Sequence, residues 1–255
     1  MTRGLPILNY HAFDRSGGLI STAPERLAGT LDRLIGAGWR GVNLGEWIDG
    51  GRPRVDRGFA VTIDDGLASI LDVADMFSSR GIPATIFLVT GRMGRDNAWP
   101  GQPRGVDPMP VMGWPDARAL LAEGFAFGAH SRTHRRLDRL APEGLEAELR
   151  GSREDVESSL GVACPLLAYP YGLGPTRVRR EAARHFEAGF TASPGEALST
   201  ENLYALSRLD SHDVGNEKQV DALISGMSHW ALRRLARGLR MRARLSGVGG
   251  GRGRA

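Results

Sequence analysis

Phe59-Ala60-Val61-Thr62-Ile63-Asp64-Asp65-Gly66 is the stretch on which the fold turns. An unbroken apolar and β-branched run reads as a strand buried on both faces, and it stops at two carboxylates and a glycine. In parallel α/β folds the polar chemistry gathers in the loops at the carboxyl ends of the strands. The same punctuation recurs along the chain. Residues 6–10 end at His11, residues 125–129 at His130-Ser131-Arg132-Thr133-His134, and residues 165–169 at Pro170-Tyr171-Gly172. Further strand candidates are 84–89, 189–192 and 204–209. Helix-period segments alternate with them: one opening at Ser21-Thr22 and Pro24 and stopping at Gly36 and Gly38, then 67–79, 115–122, 142–160, 176–186 and 217–230. This β-α alternation predicts an α/β protein with a parallel sheet or barrel inside and helices outside. Four polar clusters fall on one rim of it.

The length of 255 residues suits one such domain, and 41% hydrophobic with 24% charged residues is a globular composition. The net charge of +4 is unevenly placed. Residues 230–255 hold 8 arginines and no acid, so residues 1–229 carry 25 basic against 29 acidic side chains, a net of 25 − 29 = −4. The division expected is therefore a catalytic body over 1–229 and an Arg/Gly-rich tail over 230–255. A basic tail on an acidic body argues against a nucleic-acid partner, which calls for basic residues across a folded face. No run approaches the roughly 20 apolar residues of a membrane span. Residues 1–11 lack the apolar core and cleavage site of a signal peptide, from which a cytoplasmic location is expected. The single cysteine, Cys164, sits in an apolar run and reads as a small core residue. Residues 91–113 form the one long irregular stretch of the body, and Trp99 within it is a candidate substrate contact.

Adjacent carboxylates repel, and a cation relieves that repulsion. Asp64-Asp65 therefore suits a metal site in which one carboxylate ligates and the other stays free as a base, although a solvated turn carries the same residues. His130 and His134 are four apart, which on one helical turn points both rings the same way. Two imidazoles and a carboxylate leave open positions on zinc for water and substrate. Two surface histidines after a strand are the plain alternative.

Taken together, these motifs resemble the polysaccharide deacetylase (NodB-homology) family. Thr62-Ile63-Asp64-Asp65-Gly66 is similar to its first motif, His130-Ser131-Arg132-Thr133-His134 to its second, and Ala168-Tyr169-Pro170-Tyr171-Gly172 to its third. The resemblance implies a distorted (β/α) barrel of seven or eight units and a metal-dependent hydrolase that removes an N-acetyl group from an amino-sugar glycan or glycoconjugate. It implies one divalent ion on Asp65, His130 and His134. Zinc is the expected ion, with cobalt, nickel and iron also suited to such a set. Asp64 would be the general base, and the Tyr171 N–H would help stabilise the oxyanion. Tyr169 and Pro170 would contact the substrate.

The chain departs from the family pattern in two places. The third motif usually opens on an arginine, and Ala168 stands there; the late Leu-x-His is also not evident. One branch, the poly-N-acetylglucosamine deacetylases, carries its acid histidine in an early Tyr-His, and Asn9-Tyr10-His11 stands at that place. His11 is therefore taken as the general acid, with His212 as its rival and a strand-capping histidine as the alternative. Arg208 resembles an arginine of the same branch that can supply the charge absent at Ala168; a surface arginine is the alternative. Competing functions are hydrolysis of a cyclic amide or an O-acetyl ester, or an inactive carbohydrate-binding relative. The tail reads either as a basic segment resting weakly on an anionic membrane surface or as a solubilising terminus.

Overall fold

The computed structural model describes residues 4–103 and 105–226. Among the described residues, ten strands follow in chain order: β1 Ile7–Tyr10, β2 Ala12–Phe13, β3 Ser21–Thr22, β4 Arg40–Gly41, β5 Gly58–Ile63, β6 Ala84–Leu88, β7 Ala126–Ala129, β8 Leu166–Ala168, β9 Ala188–Pro194 and β10 Leu206–Asp210. Strands β5 to β10 pair with their successors, and β1 joins both β5 and β10. The result is a closed, seven-stranded, all-parallel barrel. Strand β4 pairs with the first residues of β5, and β2 with β3 separately.

The strands follow from their sequences. β5 is buried at all six positions, as a strand covered on both faces requires. Side chains alternate with a period of two. Ile7, Ala60, Phe87, Leu166, Ala168 and Phe190 belong to one apolar cluster, while their neighbours Leu8, Val61, Ile86, Leu88 and Leu167 belong to another that includes Leu27, Leu31 and Leu34 of the first helix. The same alternation that groups Ile7, Ala60 and Leu206 carries Asn9, Thr62, Asp64 and Arg208 on that face further along. One end of the barrel interior is thus apolar and the other polar.

The helices outside are α1 Pro24–Gly36, α2 Leu44–Asp49, α3 Ala74–Ser78, α4 Trp114–Ala122, α5 Pro142–Leu160, α6 Thr176–Ala182 and α7 Glu217–Ile224. The single helix expected over 67–79 is instead a 3-10 turn at Ala68–Asp72 followed by α3. Two constraints divide it. Leu67 bridges Val111 and the Ala68 N–H is given to Pro110 O, while Val73 takes φ −132°. The helix expected over 176–186 stops at Ala182. The end of the one expected over 217–230 lies outside the described residues, as does the tail 230–255. Short elements β2, β3, β4 and α2 carry too few residues for periodicity to show. No helix among the described residues is long and apolar enough to cross a membrane. Cys164 is buried, and burial pushes its thiol up to about 12.

Candidate active site

The polar clusters leave the strand ends at one rim. Asp64 and Asp65 follow β5, His130 follows β7, Tyr171 follows β8, His11 follows β1, and Arg208 lies within β10. Among the described residues, six non-glycine residues have positive φ, and four belong to these loops: Asp65 at 73°, Ser131 at 62°, His134 at 56° and Tyr171 at 59°. Such backbone is costly and persists where the surroundings impose it, as at functional sites. Gly172, at φ 66°, lies where a Cβ would stand 2.2 Å from Ala192 Cβ, so only glycine fits that turn. Residues 130–134 are not a helical turn. With Ser131 and His134 left-handed, the rings converge because the loop doubles back, not through i,i+4 spacing.

Asp65, His130 and His134 are all buried, and one ligand atom from each lies within 4.8 Å of the others. Asp65 Oδ1 stands 3.4 Å from His130 Nε2 and 3.3 Å from His134 Nε2 and takes no hydrogen bond. His130 Nδ1 lies 2.8 Å from Ala168 O, so that nitrogen is the donor and Nε2 is turned to Asp65. A buried carboxylate oxygen without a partner, faced by two ring nitrogens, is a donor set that fits a divalent cation. Burial lowers the His134 ring below its ordinary value, which favours the neutral imidazole that a cation requires. Burial acts downward on His130 too, but the Asp64 and Asp65 carboxylates outweigh it and raise that ring above its ordinary value.

Asp64 is held separately. Arg208, buried at 3% exposure, donates to Asp64 Oδ1 at 2.8 Å and Oδ2 at 2.7 Å. It also donates to Asn9 Oδ1 at 2.7 Å and Thr191 O at 3.1 Å. Burial alone would raise the Asp64 carboxyl. The Arg208 charge, with His130 next, overrides it and holds the group at about 2. His11 Nε2 lies 3.9 Å from Asp64 Oδ2.

These groups line one cavity of about 230 Å³ that includes Asp64, Asp65, His11, Tyr171, Arg208 and Asp210. Trp99 does not line it. Its ring packs on His134, centroids 4.3 Å apart, which makes it a wall behind that ring. Nor does the Tyr169 side chain reach the cavity, contrary to expectation. It is fully buried, closely backed by Gly174 and Gly189, and its hydroxyl donates to Tyr204 O. Pro170 is buried and lies outside the lining as well. Tyr169 continues the face of Leu167, in the outer apolar cluster, while Pro170 opens a 3-10 turn in which left-handed Tyr171 carries the chain to the cavity. His212 lies apart, with Nε2 2.9 Å from Leu19 O. Sequence reasoning missed Asn9, whose Nδ2 donates to Asp64 Oδ2 at 3.3 Å, and the cavity carboxylate Asp210. Both stand beside strand ends already singled out, and that adjacency was the available signal.

The polysaccharide deacetylase family model matches residues 51–190, more than half of the chain. No curated protein sequence matches it. Among solved structures, the Streptococcus pyogenes deacetylase PplD in complex with acetate shares the fold at TM-score 0.71 and 18% identity, covering 82% of this chain and 93% of that one. IcaB from Ammonifex degensii does so at TM-score 0.72 and 21% identity, covering 88% and 96%. A polysaccharide deacetylase from Bacillus cereus does so at TM-score 0.71 and 20% identity, covering 88% and 68%. The matched segment runs from ahead of β5 into β9 and so takes in Asp64, Asp65, His130, His134 and Tyr171, on a barrel those structures share: the chain belongs to the polysaccharide deacetylase family.

Proposed function

We propose that the protein is a metal-dependent hydrolase that releases acetate from an N-acetyl group on an amino-sugar glycan or glycoconjugate. The observation that carries this is the pairing of two carboxylates with different surroundings. Asp65 is turned to two imidazoles, while Asp64 is clamped by Arg208 and faces the same cavity. Asp65, His130 and His134 would hold one divalent ion, with zinc the expected species. When bound, such an ion supplies Lewis-acid polarisation and makes water more acidic.

The remaining roles fall to the chain's own groups. Asp64, ionised over the whole working range, takes the proton of the attacking water. Arg208 and Asn9 fix the direction of that carboxylate. The N–H of Tyr171, a residue that lines the cavity, would donate to the oxygen that gains charge. His11, with Nε2 3.9 Å from Asp64 Oδ2, gives a proton to the departing nitrogen. An early-chain acid is the arrangement of the poly-N-acetylglucosamine deacetylase branch, which makes a glycan of N-acetylated amino sugars the substrate class to try first. The test is acetate release from a panel of N-acetylated glycans, O-acetylated glycans and cyclic amides, each with and without chelator. Chelator-sensitive release from the N-acetylated members is expected. Turnover of only the esters or cyclic amides would overturn the assignment.

A further inference from the structure

We infer that Glu148 on α5 is a positioning residue for the metal-ligand loop, acting on metal affinity through the backbone between His130 and His134. This rests on the metal-site reading above and extends it to a residue outside the cavity. The loop needs an external support, because left-handed Ser131 and His134 prevent it from closing its own helical hydrogen bonds. Glu148 provides one. Its Oε2 accepts the Arg132 N–H and the Thr133 N–H, each at 2.9 Å, and its Oε1 accepts the Thr133 hydroxyl. A glutamate is rarely buried without full pairing, and this one is 8% exposed with its bonds directed into one loop.

The same face of α5 is shaped for the rest of the segment. Residues 148, 151 and 155 share that face, being three, four and seven apart. A Cβ on Gly151 would stand 2.6 Å from Arg132 Cδ, so the arginine stem crosses the helix where a side chain is missing. Its guanidinium then reaches Asp155, Nε to Oδ2 at 2.9 Å and Nη2 to Oδ1 at 3.3 Å. Asp155 also accepts the Thr90 hydroxyl at 2.7 Å, and the far side of the loop is bound by Thr90 N–H to Ser131 O at 3.2 Å and Gly91 N–H to Arg132 O at 2.8 Å. The loop is thus gripped between α5 and residues 90–91. Metal ligation tolerates errors of only about 0.2 Å, so an unsupported loop loses affinity before it loses its fold.

The test is zinc affinity of the full chain by competition with a chromophoric chelator, which needs no substrate. Glu148→Ala should weaken zinc binding about 10- to 100-fold, as removal of an outer-shell partner does elsewhere. Glu148→Gln keeps an oxygen for the two amides and should restore most of the affinity. Val156→Ala, a buried apolar change on the same helix that removes none of these hydrogen bonds, should lower the melting temperature and leave zinc affinity intact. Wild-type affinity in Glu148→Ala beside loss in Asp65→Asn would overturn this inference alone, as would equal weakening by Val156→Ala. Unchanged affinity in Asp65→Asn would overturn the metal site, and the inference with it. If Glu148→Ala does not fold, Glu148→Asp, one methylene short, should show the weakening, and wild-type affinity there is equally decisive.

Discussion

Arg208 lays its guanidinium along both oxygens of Asp64, in a fork whose two contacts are 2.8 and 2.7 Å. The two residues are 144 positions apart and meet because β1 lies between β10 and β5 in the closed barrel. The position at which the family resemblance expects an arginine is Ala168, buried in the apolar cluster of the barrel. The positive charge beside the carboxylate comes from a different strand. A planar fork fixes the direction of a carboxylate as well as its charge.

Replacing Arg208 by Gln should therefore act on both stability and pH dependence. Asp64 at about 2 in the folded state, against about 3.9 for free aspartate, contributes stability that is present above that free value and lost as pH falls towards 2. Without Arg208, burial is less opposed and the Asp64 carboxyl rises. The acid limb of kcat/KM should move to higher pH, and unfolding in denaturant should show a loss of about 3–5 kcal/mol, typical of a broken buried pair. Arg208→Lys should recover part of the stability but little of the turnover. An acid limb that stays in place in Arg208→Gln would count against the pairing as the control on Asp64.

The adjacent carboxylates should separate cleanly by substitution. Asp65→Asn and His134→Ala should lose bound metal in elemental analysis. Asp64→Asn should keep it while kcat falls roughly a hundred- to ten-thousand-fold, the usual cost of removing a general base. Full metal occupancy in the first two variants, or near wild-type kcat in the third, would reverse the assignments.

How far the sequence carries is set by range. The barrel strands were legible because parallel strands buried on both faces are continuous apolar runs, and 84–89 or 125–129 differ from Ala84–Leu88 and Ala126–Ala129 by one residue. The rim was legible because Asp64, His130 and Tyr171 follow such runs directly. Long-range pairings were not. Nothing local in Leu206-Ser207-Arg208 says that its arginine meets Asp64, and nothing in α5 marks Glu148 as the partner of Arg132 and Thr133. The four-residue spacing of His130 and His134 suggested a helix and met a doubled-back loop. The burial of the Tyr169 side chain was not legible either, because a motif fixes order along the chain but not which face each residue takes.

The segment 230–255, with 8 arginines and no acid, should be dispensable for chemistry on a soluble substrate. A chain ending at Ser228 should retain acetate release. If the segment rests on anionic membranes, its removal should abolish sedimentation with phosphatidylserine vesicles, and the full chain should bind them less as salt rises. Loss of activity on the soluble substrate would show that the segment belongs to the catalytic body.

His11 and His212 compete for the role of general acid, and their surroundings differ in ways that predict the ranking. His11 lines the cavity with Nε2 3.9 Å from Asp64 Oδ2, near the groups that would handle the water. His212 has its Nε2 2.9 Å from the Leu19 carbonyl, its backbone N–H donated to Asp210 Oδ1, and no place in the cavity lining. A ring nitrogen committed to a carbonyl is poorly placed to give a proton to a leaving amine, and an amine departs slowly unless protonated. His11→Ala should therefore cut kcat about a hundred-fold or more with metal content intact. His212→Ala should have a mild effect, confined to the Leu19 loop that it tethers. The decisive measurement is kcat/KM for both variants on one substrate. The reverse order would return the acid to the late-chain histidine and require the Leu19 loop to open before His212 could reach the cavity.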